Sequence, residues 1–347
     1  MKALTLLCVS VFLCMNVFAE TVKKEYQKSF DKAGIDELVI SNKYGQIEVE
    51  QKEGDKIDVA AVIAVTAKSG MKADEAMEYI TIQETQSGSF LNVETVFGKD
   101  MGLKQMITSL EINVSYKISV PKGVKLRLIN TDGTVYVADY EGNLNVDIQA
   151  GNFKAGKLSD GEFYIKQTKG EFSVTDVALM DGDLKSCSIN LEDGNEVKLV
   201  ANDCSGRIGA VEKLTIRSSG GELKLGEIEE MSGSSSSTKY EVQDIGTSLV
   251  MDMKYGELNV RNIHFNFSTV DLRGSYTKFG LTFMEGAGYN LEFVHNKSLK
   301  VDIPRGIKLE ERPTSEKNVV REVGFVGDKK YNGKVILNIK NGNIFIQ

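Results

Sequence analysis

The stretch "LRLINTDGTVYV", Leu126 to Val137, decides how this chain folds. Leu126 and Leu128 alternate with polar neighbours, four residues intervene, Gly133 follows, and Val135 and Val137 alternate again. Alternation of period two on both sides of a glycine reads as strand, turn, strand. The same template returns as Leu144, Val146, Gly151, Phe153, then as Phe163, Ile165, Gly170, Phe172, Val174. It recurs as Leu214, Ile216, Gly221, Leu223, Leu225, and as Leu249, Met251, Gly256, Leu258, Val260. Weaker copies carry Cys187, Thr238 or Thr277 in place of the glycine, and Gly206 heads another copy with Ile208.

With the glycine position as register mark, the copies fall at 133, 151, 170, 187, 206, 221, 238, 256 and 277. A fixed period near 18 residues is the signature of a repeat architecture. One strand-turn-strand unit cannot bury its own apolar side, whereas stacked units can. The expectation is an all-β fold: a single-chain β-solenoid (β-helix) of about 9–10 coils with β-rich terminal caps. Val135, Phe153, Phe172, Ile189, Ile208, Leu223, Tyr240, Leu258 and Phe279, each two residues after a mark, should form one internal column. "VPKGVKL" (Val120–Leu126) and "IPRGIKL" (Ile303–Leu309) repeat one Pro-Gly turn 183 residues apart, close to ten periods, so they should occupy one corner of the coil.

The flanks set the boundaries. Residues 1–19 read as a signal peptide, with Lys2, an apolar run from Leu4 to Val17, and small residues before Glu20. The domains expected are the signal (1–19), an N-terminal β-rich cap with one short helix at Met71–Tyr79 (20–120), the repeats (121–305) and C-terminal capping strands (306–347). Gly98–Ser109 reads as an irregular excursion, and Ser232–Thr238, "SGSSSST", as a flexible corner. No second apolar run is long enough to span a membrane. A net charge of −7 argues against nucleic acid as a partner. Removing the signal leaves Cys187 and Cys204, which an oxidising compartment could bridge; two free buried thiols are the alternative.

Chemistry is sparse. His264 and His295 match no metal-ligand spacing, and Cys187 and Cys204 lack CxxC spacing. Asp181-Gly182-Asp183 reads as a solvated turn rather than a calcium loop. Glu192, Asp193, Asp203, Glu227, Glu229 and Glu230 are the acids from which a polysaccharide lyase or hydrolase site would be built, but the sequence pairs no two of them. Position 134 and its equivalents, just after each mark, are mixed in type and sign, which excludes a regular lattice-binding face. No cofactor is expected.

"LVISNKYGQIEVE" near the N-terminus, "YKISVPKGVKLRLINTDGTVYV" and the glycine-marked repeats resemble the bacterial "putative adhesin" families of exported β-strand-repeat proteins. The resemblance implies a non-catalytic, exported protein that binds a protein or a glycan and sits in the periplasm, at the cell surface or outside the cell. It carries no catalytic residues. An envelope scaffold is the alternative, and a β-helix polysaccharide enzyme a further one.

Overall fold

A computed structural model describes residues 20–67, 73–98, 110–304 and 307–347. Over these residues the chain is nearly all β, with one short helix, Ala73–Met77. The expected signal segment, Met71 and Lys72 of the expected helix, residues 99–109 of the excursion, and Arg305 and Gly306 of the second Pro-Gly turn lie outside the described residues. Among the described residues no helix is long and apolar enough to cross a membrane.

Alternation in sequence becomes alternation in burial. Along Lys125–Val137, Leu126, Leu128, Val135 and Val137 are buried, while Lys125, Arg127 and Tyr136 face out. Neighbouring strands run parallel, and each residue lies beside its template equivalent. Leu126 pairs with Leu144, and Leu144 with Phe163. Val135 pairs with Phe153, and Phe153 with Phe172. Leu223, Tyr240, Leu258, Phe279 and Ile344 pair in one row. On the other side the row continues from Val135 to Ile47 and Tyr116. All of these are buried, and Phe153 stacks on Phe163 and Phe172 at centroid distances of 5.3 and 5.9 Å. Lys125–Val137, Leu144–Gln149, Phe163–Ser236 and Asn152–Ser159 close a small four-strand parallel barrel. The first and third of these bend at Asp132 and Lys169, so each offers one arm to either neighbour.

The bend has a fixed backbone recipe. The residue before the mark is left-handed: Tyr44, Asp132, Ala150, Lys169, Ser186, Asp203, Ser237, Tyr255 and Tyr276 have φ between 50° and 63°. That pattern moves one mark. In the repeat after Cys187 the left-handed residue is Asp203, so the mark is Cys204 and not Gly206. The spacings 187–204 and 204–221 are then both 17 residues. Gly206 misleads because a second close approach also requires glycine: a Cβ there would lie 2.0 Å from the carbonyl oxygen of Ile189. Ile208 is therefore four residues after its mark and out of the expected column. It is still fully buried, as is Leu191 at the same offset one coil earlier.

Three residues before the mark runs a buried row that is partly polar: Asn42, Asn130, Gln167, Ser218 and Ser235. The amides satisfy carbonyls at the tight corner. Asn42 Nδ2 donates to Val114 O at 2.9 Å, Asn130 Nδ2 to Gly45 O at 3.1 Å, and Gln167 Nε2 to Gly151 O at 2.8 Å. Two expected loops are wholly or largely strand, and of Ser232–Thr238 only Ser237 and Thr238 form the corner. Ser232–Ser236 pairs with Val250–Lys254, and Ser235 is buried. Asp181-Gly182-Asp183 lies within Phe163–Ser236, with Gly182 facing Met180, Leu199 and Ile165 inside.

Ladder order departs from chain order at both ends. Glu37–Lys52 lies between Lys125–Val137 on one side and Phe90–Phe97 with Leu110–Pro121 on the other. Gly333–Ile339 lies between Thr269–Ser275 and Gly288–Asn296, and Gly342–Ile346 between Thr277–Phe283 and Lys300–Asp302. Residues 306–347 thus do not simply close the far end: 333–346 are interior, and antiparallel Val319–Gly327 flanks Gly288–Asn296. At the near end antiparallel Lys56–Ala67, Glu20–Asp31 and Ile80–Ser87 complete the sheet.

Removing a ring from the column tests this packing. Phe172→Ala is expected to lower the unfolding free energy by about 3–5 kcal/mol, the cost of a buried aromatic cavity. Thr175→Ala, on the outer face, should change it by no more than about 0.5 kcal/mol. Urea denaturation followed by circular dichroism reads both, and a Phe172→Ala loss below about 1 kcal/mol would refute the stacked column.

Candidate functional site

With the marks at Cys187, Cys204, Gly221, Thr238 and Gly256, the residues five and six places on can be compared coil by coil. They are Glu192 and Asp193, Gly209 and Ala210, Gly226 and Glu227, Gln243 and Asp244, Arg261 and Asn262. Small residues in the two middle coils leave a hollow between longer side chains. Its volume is about 810 Å³, with Gly209, Ala210 and Gly226 as floor. Arg207, Lys224 and Arg261 supply positive charge, and Glu192, Asp193, Glu227 and Glu241 negative charge. A second hollow of about 520 Å³ shares Asp193, Ala210 and Glu227 with the first and adds Glu229, Asp244 and His264. The two form one trough across successive coils. Its floor is backbone because a Cβ on Gly209 would meet Glu192 O at 2.1 Å.

The acids singled out by sequence divide. Glu192, Asp193, Glu227 and Glu229 line the trough, Asp203 is the left-handed corner residue of its coil, and Glu230 is exposed opposite Ser248. Within the trough Asp244 accepts from Asn262 Nδ2 at 2.9 Å and lies 3.9 Å from His264 Nε2. Glu229 accepts from the Thr247 hydroxyl. His295 is packed on Phe293 and hydrogen-bonds Asn296 O and Glu322, outside the trough. Among the described residues no group of three His, Cys, Asp or Glu is placed to hold a metal ion. The trough escapes a linear reading because its floor and walls come from five coils, and because taking Gly206 as a mark shifts one of them by two residues.

Cys187 and Cys204 occupy the mark of successive coils, and both are buried thiols. Cys204 Sγ lies 3.5 Å from the amide nitrogen of Cys187. Cys187 Sγ also donates to Lys185 O at 3.3 Å, and the two thiols interact with each other. That contact lowers Cys204 to about 7, and the same contact with burial pushes Cys187 well above the ordinary thiol range.

No family model matches the chain, and no curated protein matches it. Solved structures follow part of its course. A Parabacteroides merdae protein named a "putative adhesin" is 13% identical, covers 76% of this chain and 97% of its own, and gives a TM-score of 0.38. A Parabacteroides distasonis protein named a "putative lipid binding protein" is 13% identical, covers 74% and 93%, and gives 0.36. A Clostridium sporogenes protein named a "putative cell adhesion protein" is 10% identical, covers 94% and 100%, and gives 0.22. Likeness at this level carries no argument about what this chain does.

Proposed function

We propose that the protein is an exported, non-catalytic binding protein, an adhesin-like β-solenoid whose trough receives an extended polar ligand, a glycan chain or a protein segment. The trough carries this reading: a backbone floor spanning successive coils, walled by side chains of both signs. Repeats about 4.8 Å apart give a hollow across five of them a length of about 19 Å, suited to a chain rather than a small metabolite. Opposite charges along the walls favour register and selectivity over raw affinity. In-register parallel pairing with a recurrent 17-residue step supports the solenoid, and residues 1–19 support export.

The test is a glycan and protein array screen of the mature chain, which N-terminal sequencing of exported protein should show to begin at Glu20. For the ligand found, Lys224→Glu and Ala210→Arg are each expected to weaken binding by about tenfold or more. Lys300→Glu, at the far edge, should leave it unchanged. Binding that ignores both trough substitutions would sink the assignment. Release of reducing or unsaturated ends from acidic polysaccharides, abolished by changing a single trough acid, would replace it with an enzyme.

We also propose that Cys187 and Cys204 become bridged on export, before the coils close over them. Cys204 thiolate attacks a disulfide-bearing oxidant, which leaves as one thiolate. Cys187 then attacks the mixed disulfide, expels the second thiolate and gives up its proton to it. Adjacent coils bring Cα atoms within the roughly 4.4–6.8 Å that a disulfide spans. A loop of this size contributes about 3 kcal/mol in the chain-entropy account. Thiol titration of denatured, unreduced exported protein should find none; two free thiols per chain exclude the bridge.

A further inference from the structure

The two most exposed large aromatics of the described residues lie against each other. Tyr255 and Tyr276 are 59% and 60% exposed. Their rings stack at a centroid distance of 5.4 Å and 12° from parallel. Each is the left-handed residue before its mark, with φ of 50° and 56°. Left-handed backbone disfavours a bulky side chain. Asp132, Ala150, Ser186, Asp203 and Ser237 fill the same position elsewhere, as do Lys169 and Tyr44, the latter packed edge-on against Phe97. The rings point to solvent, so core packing does not explain why tyrosine is held there.

The stack is open at both ends. The equivalent residues of the flanking coils, Ser237 and Asn341, carry no ring. Three lysines adjoin these corners in sequence: Lys254 precedes Tyr255, Lys278 follows Thr277, and Lys340 precedes Asn341. All three are exposed, and among the described residues none has an ion-pair partner. Glu257, the acid nearest Tyr255 along the chain, lies beside Lys278 in the ladder and accepts from Asn259 Nδ2 at 2.8 Å. The corner backbone is already engaged: Tyr255 N donates to Ser275 O at 3.1 Å, and Thr277 N to Asn341 O at 3.2 Å. A peptide therefore cannot add here as a strand. What remains is flat π surface, which receives a ring with C–H groups on one face, beside unpaired cations, which receive carboxylate.

We propose that Tyr255 and Tyr276 form a platform for an acidic glycan, with a uronic-acid ring continuing the aromatic stack and its carboxylate met by Lys278 or Lys340. Neither tyrosine lines the trough, so this is a second site, and it stands whether or not the trough binds its ligand.

The experiment uses the mature chain with polygalacturonate and alginate oligosaccharides, with dextran as neutral control, read by titration calorimetry. The chain has no tryptophan, so tyrosine emission offers a second readout. Both acidic probes or either one should bind, and dextran should not. Tyr276→Ser restores a residue type other coils use at this position, so folding is retained, and binding should weaken by about tenfold. Tyr276→Phe should stay within about threefold of the parent. Lys278→Gln with Lys340→Gln should weaken binding and flatten its salt dependence. Thr175→Ala, on the outer face and outside both sites, should have no effect. Absence of binding to both acidic probes, equal binding of dextran, or parent-like binding by Tyr276→Ser would each overturn the proposal.

Discussion

At the glycine-marked corners two backbones meet with no room between them, and the rest of the structure follows from that contact. A Cβ on Gly133 would lie 1.7 Å from the carbonyl oxygen of Gly45 in the coil beside it. The residue before it must turn left-handed to bring the chain into that contact, at a conformational cost for anything but glycine. Once the corner is fixed, the arms on either side are locked in register, and apolar residues at equal offsets fall into rows. Inward amides at Asn42, Asn130 and Gln167 bind carbonyls that the corner would otherwise strand. Corner, row and amide ladder are one device repeated.

The rows were legible in the sequence because alternation of period two reports burial directly. Leu126, Leu144 and Phe163, or Tyr240, Leu258 and Phe279, could be aligned by eye and are paired in space. The register of one coil was not legible. Glycine marks a close approach, but two kinds of close approach exist, and Gly206 reports the second kind. The feature that distinguishes them is a positive φ at Asp203, an ordinary-looking residue. The serine run was misread for a related reason. Composition suggested mobility, whereas in-register pairing with Val250–Lys254 holds these small residues in a strand.

Exposed outward positions are freer of these constraints, and variation between the repeats collects there. At Gly209, Ala210 and Gly226 small residues leave backbone exposed between charged walls. At Tyr255 and Tyr276 the opposite choice is made, and large rings stand on strained backbone. Ala210, Tyr255 and Tyr276 are exposed and lie outside the internal rows, so each could be changed without unstacking the core, whereas a Cβ on Gly209 would meet Glu192 O at 2.1 Å. The trough could not be seen as a motif, since residues 17 or 18 apart become neighbours only once the register is known.

The pairing of the C-terminal strands carries a consequence for assembly. In a simple repeat array each unit contacts its neighbours in sequence, and order can propagate along the chain. Here Thr269–Ser275 and Gly288–Asn296, close in sequence, are separated in the ladder by Gly333–Ile339. Thr277–Phe283 and Lys300–Asp302 are likewise joined through Gly342–Ile346. The coils on either side cannot complete their hydrogen bonding until a segment some 50 residues further along has arrived. Glu37–Lys52 makes the same demand at the other end, between Leu110–Pro121 and Lys125–Val137. Contacts of long sequence separation therefore bracket a middle region of short ones. The middle coils can order locally, but the ends form only through non-local closure, which couples the array into a more cooperative unit than its repeats imply.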